Sequence, residues 1–163
     1  MRTLRFESAL MVEIHLSRAT PSDAPAVRQL VRAAYAKWVP LMGREPMPML
    51  ADYDVAVREH EVDLAYVEGA LVALIELIVT PDHLFIENLA VAPGQQGRGL
   101  GRALIAHAER RAQQLGLPKL CLLTGQVMQS NVRFYQSLGF QIDRTEPFMG
   151  GFTVYLSKTL LLV

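Results

Sequence analysis

The spacing of apolar residues changes period along the chain, and each change marks an element. Val12–Ser17 (VEIHLS) alternates apolar and polar positions, as a half-buried strand does. Thr20-Pro21-Ser22-Asp23 then sets out a capping hydroxyl, a proline at the first helical position and an acid three residues after the cap, which predicts a helix to about Lys37. A second helix is expected over Leu50–Glu59. Val62–Val67 and Ala70–Val79 read as antiparallel strands joined at Glu68-Gly69, and Pro81-Asp82 turns the chain into a further strand, Leu84–Val91. After the bend APGQQGR, a helix extends to about Leu115, with Leu100, Leu104, Ala108 and Leu115 along its apolar stripe. Gly116 ends it, with Pro118 beyond. Leu120–Thr124 reads as a strand, a short helix starts near Ser130 or Asn131, either able to cap it, and two last strands fall near Phe140–Glu146 and Gly151–Lys158. The order β-α-α-β-β-β-α-β-α-β-β specifies an α/β protein on a mixed sheet.

Composition fits one domain. A chain of 163 residues, 51% hydrophobic and 20% charged, buries roughly 70% of its unfolded surface, and residues 11–163 are read as a single unit. Residues 1–10 are read as a disordered tail or as sequence upstream of a start at Met11. Glu7 interrupts that decapeptide and no long apolar run follows it, so it is not a secretory signal. No stretch approaches the roughly 20 apolar residues of a membrane span. Sixteen basic and sixteen acidic residues cancel, which argues against a nucleic-acid binder dependent on counterion release. The single cysteine, Cys121, lies in a strand-like apolar run and reads as inert core, so a reducing cytoplasm is the expected location. His15, His60, His83 and His107 have no ligand-like spacing, and no metal is expected. No serine sits in a G-x-S-x-G setting and Cys121 has no evident base, so a covalent acyl-enzyme is not expected either.

The chemistry concentrates between Leu84 and Leu115. A glycine-rich bend entering a helix N-terminus offers several backbone N–H groups to an anion, with the helix dipole behind them. A dinucleotide-binding G-x-G-x-x-G fails, because Arg102 or Leu104 occupies the closing position. A Walker A loop from Gly94 fails at Leu100, where lysine is required. What remains is Gln96-x-x-Gly99-x-Gly101 after a Val91-x-Pro93 strand exit, followed by Asn131-x-x-x-Tyr135-x-x-x-Gly139-Phe140.

Those two motifs, in this order and at this separation, resemble the acyl-CoA pyrophosphate loop and the following motif of the GNAT superfamily of N-acetyltransferases. They cover Leu84 to Phe140, about a third of the chain. The resemblance implies a mixed, mostly antiparallel sheet flanked by helices, acetyl-CoA as acyl donor and a primary amine as acceptor. It also implies that main-chain groups of Leu89 and Val91, with Ala90 between them, pair with the pantetheine amides where their strand splays from the next. Gln96, Gly97, Arg98, Gly99, Leu100, Gly101 and Arg102 would hold the pyrophosphate, and Asn131 would bond the cofactor or cap its helix.

An amine is mostly ammonium at neutral pH, so the site must accept a proton and then protonate the departing thiolate. Tyr135 matches the family's tyrosine and is the expected acid; it stands one turn after Asn131 on the same helix face. Glu87 is the expected base, on the strand face of Phe85, Leu89 and Val91, where apolar neighbours would raise its pKa. Glu76 and water are the alternatives.

Acceptor specificity is expected from the breaker-rich segment 38–49, with Tyr35, Trp38, Met42, Arg44 and Glu76 as candidate contacts and Arg44 suited to a substrate carboxylate. Pro147–Gly150 is a candidate opposite wall. A small-molecule N-acetyltransferase is the favoured function. A protein or peptide N-acetyltransferase and a non-catalytic acyl-CoA sensor are the alternatives, and a homodimer is compatible with all three.

Overall fold

The computed structural model describes residues 2–5 and 13–161. Its elements are β1 (Arg2–Arg5), β2 (Glu13–Arg18), α1 (Ala24–Tyr35), α2 (Val39–Met42), α3 (Met47–Leu50), α4 (Tyr53–Glu59), β3 (Glu61–Val67), β4 (Ala70–Val79), β5 (Leu84–Val91), α5 (Leu100–Gln114), β6 (Lys119–Gly125), α6 (Gln129–Ser137), β7 (Gln141–Phe148) and β8 (Gly151–Thr159). The hydrogen-bonded strand order is β1-β2-β3-β4-β5-β6-β8-β7. β5 runs parallel to β6, while β1–β2, β2–β3, β3–β4, β6–β8 and β7–β8 are antiparallel. This is the mixed, mostly antiparallel sheet that the resemblance implied. The stretch read as a tail or upstream sequence contains β1, which pairs with β2 from Arg2↔Leu16 to Arg5↔Glu13; residues 6–12 lie outside the described residues.

The chain divides into two compact units, Met1–Leu77 with Asn88–Ile105, and Ile78–Glu87 with Ala106–Val163. In the first, Val27, Val31 and Ala34 of α1 and Tyr53, Ala56 and Val57 of α4 pack with Val62, Leu64, Leu74 and Ala90 of the strands. The helix start behaves as its sequence dictates: Thr20 N–H donates to Asp23 Oδ2 at 2.8 Å, and a 3-10 turn over Pro21–Asp23 leads into α1. The helix expected from Leu50 begins instead at Tyr53, because the Asp52 carboxylate accepts the N–H groups of Asp54 and Val55 at 3.0 and 3.2 Å and fixes the start there. Segment 38–49 is not an open loop. Pro40 and Pro48 each stand near the start of a one-turn helix, and Gly43, in the left-handed region at φ 66°, closes the first of them.

In the second unit, β6 pairs with β8 from Lys119↔Thr159 to Gly125↔Thr153, and β8 pairs with the edge strand β7. Lys158 donates to Glu109 of α5 at 2.6 Å. The stripe expected on α5 is buried at Leu100, Leu104 and Ala108, but Leu115 is exposed because the helix ends at Gln114; Leu117, past the turn at Gly116, is buried in its place. Among the described residues no helix is long and apolar enough to cross a membrane.

The hairpin between β3 and β4 closes through Glu68 and Gly69 at φ 50° and 79°, the two left-handed positions of a type I′ turn. Glycine meets that demand and glutamate is strained by it. Replacing Glu68 by Asn, which tolerates this conformation, is expected to stabilise folding by about 0.5–1 kcal/mol, read as a higher urea midpoint at unchanged m-value.

Candidate active site

The bend that follows β5 is shaped by glycine conformation. Gly94, Gly97 and Gly99 have φ of 83°, 78° and 82°, and a Cβ built on any of them meets nothing within 4 Å. They are therefore required by backbone handedness, with open space on the side where a Cβ would project. Gln96 and Arg98 are not among the positive-φ residues, so the sign of φ alternates from Gln96 to Gly99. Alternation of this kind turns successive N–H groups toward one side and makes an anion-binding concavity. Gln95 N–H bonds Ala92 carbonyl and Ala103 N–H bonds Gly99 carbonyl, yet among the described residues no backbone hydrogen bond uses the N–H of Gln96, Gly97, Arg98, Gly99, Leu100 or Gly101. Leu100 is buried and anchors the helix start, whereas Gly97 and Gly99 are exposed.

Side chains hold the rim of this loop. Gln96 donates from Nε2 to Val91 carbonyl at 3.2 Å and accepts at Oε1 from Lys37 Nζ at 2.8 Å. Arg98 donates to Gln95 Oε1 at 2.8 Å, and Arg102 is exposed without a hydrogen bond or ion pair among the described residues.

β5 carries two opposite faces. Leu84, Ile86, Asn88 and Ala90 are buried, Phe85, Leu89 and Val91 are half-buried, and Glu87 is exposed. The apolar enclosure expected around Glu87 is absent, because its strand face is the outer one. Glu76, by contrast, is 4% exposed and lies 2.6 Å from His60 Nδ1. Of the two acids, the expected base is thus the exposed one and its alternative the buried one.

Asn88, which the sequence reading passed over, is 3% exposed and organises the acceptor-side candidates. Its Oδ1 accepts from the Tyr35 hydroxyl at 2.9 Å, its Nδ2 donates to the Tyr53 hydroxyl at 3.1 Å, and Tyr53 in turn donates to the Pro48 carbonyl. The Tyr35 hydroxyl also stands 3.3 Å from the Leu89 carbonyl. Arg32 joins from α1, donating to Met49 carbonyl at 2.9 Å and to Glu45 Oε1 at 2.8 Å, and its guanidinium holds the Glu45 carboxyl below the usual carboxylate range. Trp38 is buried, Met42 half-buried, and Arg44 donates to its neighbour's carbonyl at 3.2 Å. The signal for Asn88 was present in the sequence: it is the one polar side chain on the inward face of an otherwise apolar alternation.

In the second unit, α6 starts two to three residues earlier than a Ser130 or Asn131 cap requires. Met128 is its N-cap, and Asn131 and Val132 N–H both bond the Met128 carbonyl. Asn131 Nδ2 points to Met128 Sδ at 3.6 Å, so its side chain lies inside the first turn. Tyr135 is buried, its ring 5.6 Å from Phe140 and 5.2 Å from Phe134. Its hydroxyl makes no hydrogen bond among the described residues, and burial pushes the phenol well above its ordinary value, so it stays protonated. Cys121 is half-buried and desolvation raises its thiol, the opposite of nucleophile activation. No group of three or more His, Cys, Asp or Glu able to hold a metal comes together among the described residues.

Comparison with known proteins shows the family. The model of the acetyltransferase (GNAT) family matches residues 25–140, and the chain belongs to that family. It is 39% identical over 58 residues to a streptothricin acetyltransferase of Streptomyces lavendulae, a stretch that covers 36% of this chain and 31% of that protein. The chain thus spans about a third of that relative's length. Among solved structures it resembles the PaiA N-acetyltransferase of Thermoplasma acidophilum in complex with coenzyme A, with a TM-score of 0.74 and 16% identity over 90% of this chain and 99% of that one. It also resembles the ribosomal-protein-S18-alanine N-acetyltransferase of Escherichia coli, with a TM-score of 0.72 and 21% identity over 90% and 93% of the two chains. At those identities the likeness is one of fold.

The Asn88 clamp carries a measurable consequence. Asn88→Leu removes the shared partner of two tyrosine hydroxyls from a buried position, and it is expected to cost about 1–3 kcal/mol in urea denaturation.

Proposed function

We propose that this protein is an acetyl-CoA-dependent N-acetyltransferase acting on the primary amine of a small molecule. The observation that carries this reading is the set of N–H groups from Gln96 to Gly101 that no backbone acceptor takes among the described residues, on a loop where a Cβ built on Gly94, Gly97 or Gly99 meets nothing within 4 Å. That arrangement suits a diphosphate, which can take up the N–H groups that a helix start and an exposed loop otherwise leave to water.

Acetyl-CoA supplies an activated thioester acyl group, and this chain's residues do the rest. The loop amides, with Arg98 and Arg102 at its edge, hold the pyrophosphate, and main-chain groups of Leu89 and Val91 bond the pantetheine arm. The exposure of Glu87 supports a base that accepts the amine's proton through water, as a carboxylate in contact with solvent can. Glu76 is the weaker candidate because His60 already occupies its carboxylate. Tyr135 holds a proton for the departing sulfur; its raised pKa keeps it a hydrogen-bond donor throughout the working pH range.

A small acceptor is favoured by the state of segment 36–50. Arg32, Tyr53 and Lys37 tie it to α1, α4 and the phosphate loop, which leaves that side of the first unit occupied by folded chain. The name of the streptothricin acetyltransferase relative points the same way. A peptide acceptor needs an open groove, and an acyl-CoA sensor needs no proton-handling groups.

Calorimetry with acetyl-CoA, followed by thiol-release assays on amines, amino acids, polyamines, aminoglycosides and peptides, tests the proposal. The wild-type chain is expected to bind acetyl-CoA. Gly97→Ala, which strains a left-handed position by about 1–2 kcal/mol and sets a methyl in front of the amides, is expected to weaken binding at least about tenfold. Absence of binding by the folded wild type would overturn the assignment. Tyr135→Phe should lower kcat by at least about tenfold with acetyl-CoA affinity little changed; an unchanged kcat removes Tyr135 from the mechanism.

A further inference from the structure

Lys37 lies outside the motifs, yet its ammonium reaches the loop that they define. It stands just past α1, at the start of the acceptor-side segment, and donates to Gln96 Oε1 at 2.8 Å. On its other side the ammonium lies 5.0 Å from the centroid of the Trp38 ring, and Trp38 is buried, so the seat beneath it is fixed. Both partners are neutral: among the described residues no carboxylate pairs with Lys37. On α1 the cations differ in this respect, since Arg32 is engaged by Glu45 and Arg28 by Asp54. A cation without a counter-ion is thus bonded to the side chain of the loop whose N–H groups from Gln96 to Gly101 have no backbone acceptor among the described residues. Two independent sets of unsatisfied positive groups meet at Gln96.

We infer that Lys37 is a ligand to the phosphates of coenzyme A, contributed by the acceptor-side segment and not by the pyrophosphate loop. Gln96 holds the ammonium at the rim of the loop, and a phosphate arriving on the amides offers it a charged acceptor, a stronger partner than an amide oxygen. Because Lys37 and Trp38 begin the segment that Arg32 and Tyr53 pin down further along, the same contact couples cofactor binding to the placement of the acceptor wall. This inference rests on the loop being a coenzyme A site, and the experiment separates the two.

Wild type, Lys37→Met and Lys37→Arg are titrated by calorimetry with coenzyme A, 3′-dephospho-coenzyme A and pantetheine at low and at 0.5 M salt, after thermal unfolding has shown that each variant is folded. Lys37→Met is expected to weaken coenzyme A binding about three- to tenfold at low salt and less at high salt, while Lys37→Arg retains most of the affinity and pantetheine binding is unaffected. Equal weakening toward the dephospho form assigns the contact to the pyrophosphate; no weakening toward it assigns the contact to the 3′-phosphate. Unchanged coenzyme A affinity in Lys37→Met, or an equal loss toward pantetheine, overturns the role of Lys37 while leaving the loop's function standing. Failure of the wild type to bind coenzyme A at all overturns the reading beneath it.

Discussion

The backbone N–H groups from Gln96 to Gly101 at the head of α5, without a backbone acceptor among the described residues, are the constraint around which the first unit is arranged. Such groups are tolerated only where water or a ligand can reach them. The chain keeps them reachable by three means. Glycines at 94, 97 and 99 take left-handed conformations that point no side chain into the space ahead; Leu100 and Leu104 bury the opposite side of the helix start; and Gln96 turns its amide back to Val91 and Lys37. Helix dipole and alternating backbone then add their fields in one direction.

The polar groups inside the first unit serve position. Asn88 on β5, Tyr35 at the end of α1 and Tyr53 at the start of α4 form one chain of hydrogen bonds that ends on the Pro48 carbonyl. An apolar residue at 88 would serve burial equally well, but hydrogen bonds have direction and apolar contacts do not. The clamp therefore fixes where segment 36–50 rests as well as that it is covered. Arg32 adds a second tie from the same helix. A segment rich in proline and methionine, adaptable by composition, is in this way held in one place.

The elements that follow a single local rule were legible in the sequence. The capping residues 20–23, the hairpin at Glu68-Gly69, the alternation of β5 and the stripe of α5 from Leu100 to Ala108 each depend on neighbours within one or two turns, and each appears where those neighbours predict it. Both motifs were likewise legible, because a glycine's conformational demand and a helical i, i+4 pair are local. The misplacements have one cause. Leu115 and Glu87 were assigned surroundings from helix or strand period alone, and period says which residues share a face without saying what covers it.

The sequence by itself determined the order of β2 to β8 with α1, α4, α5 and α6 among them, and the loop whose backbone must turn left-handed, since these follow from steric and hydrogen-bonding preferences that act between near neighbours. Only the tertiary structure decided that Glu76 is buried against His60 while Glu87 faces outward, that Asn88 ties α1 and α4 to β5, and that Lys37 reaches Gln96. These pairs lie 16 to 59 residues apart in the chain, and contact across such separations is set by how helices pack on the sheet, which no local preference encodes.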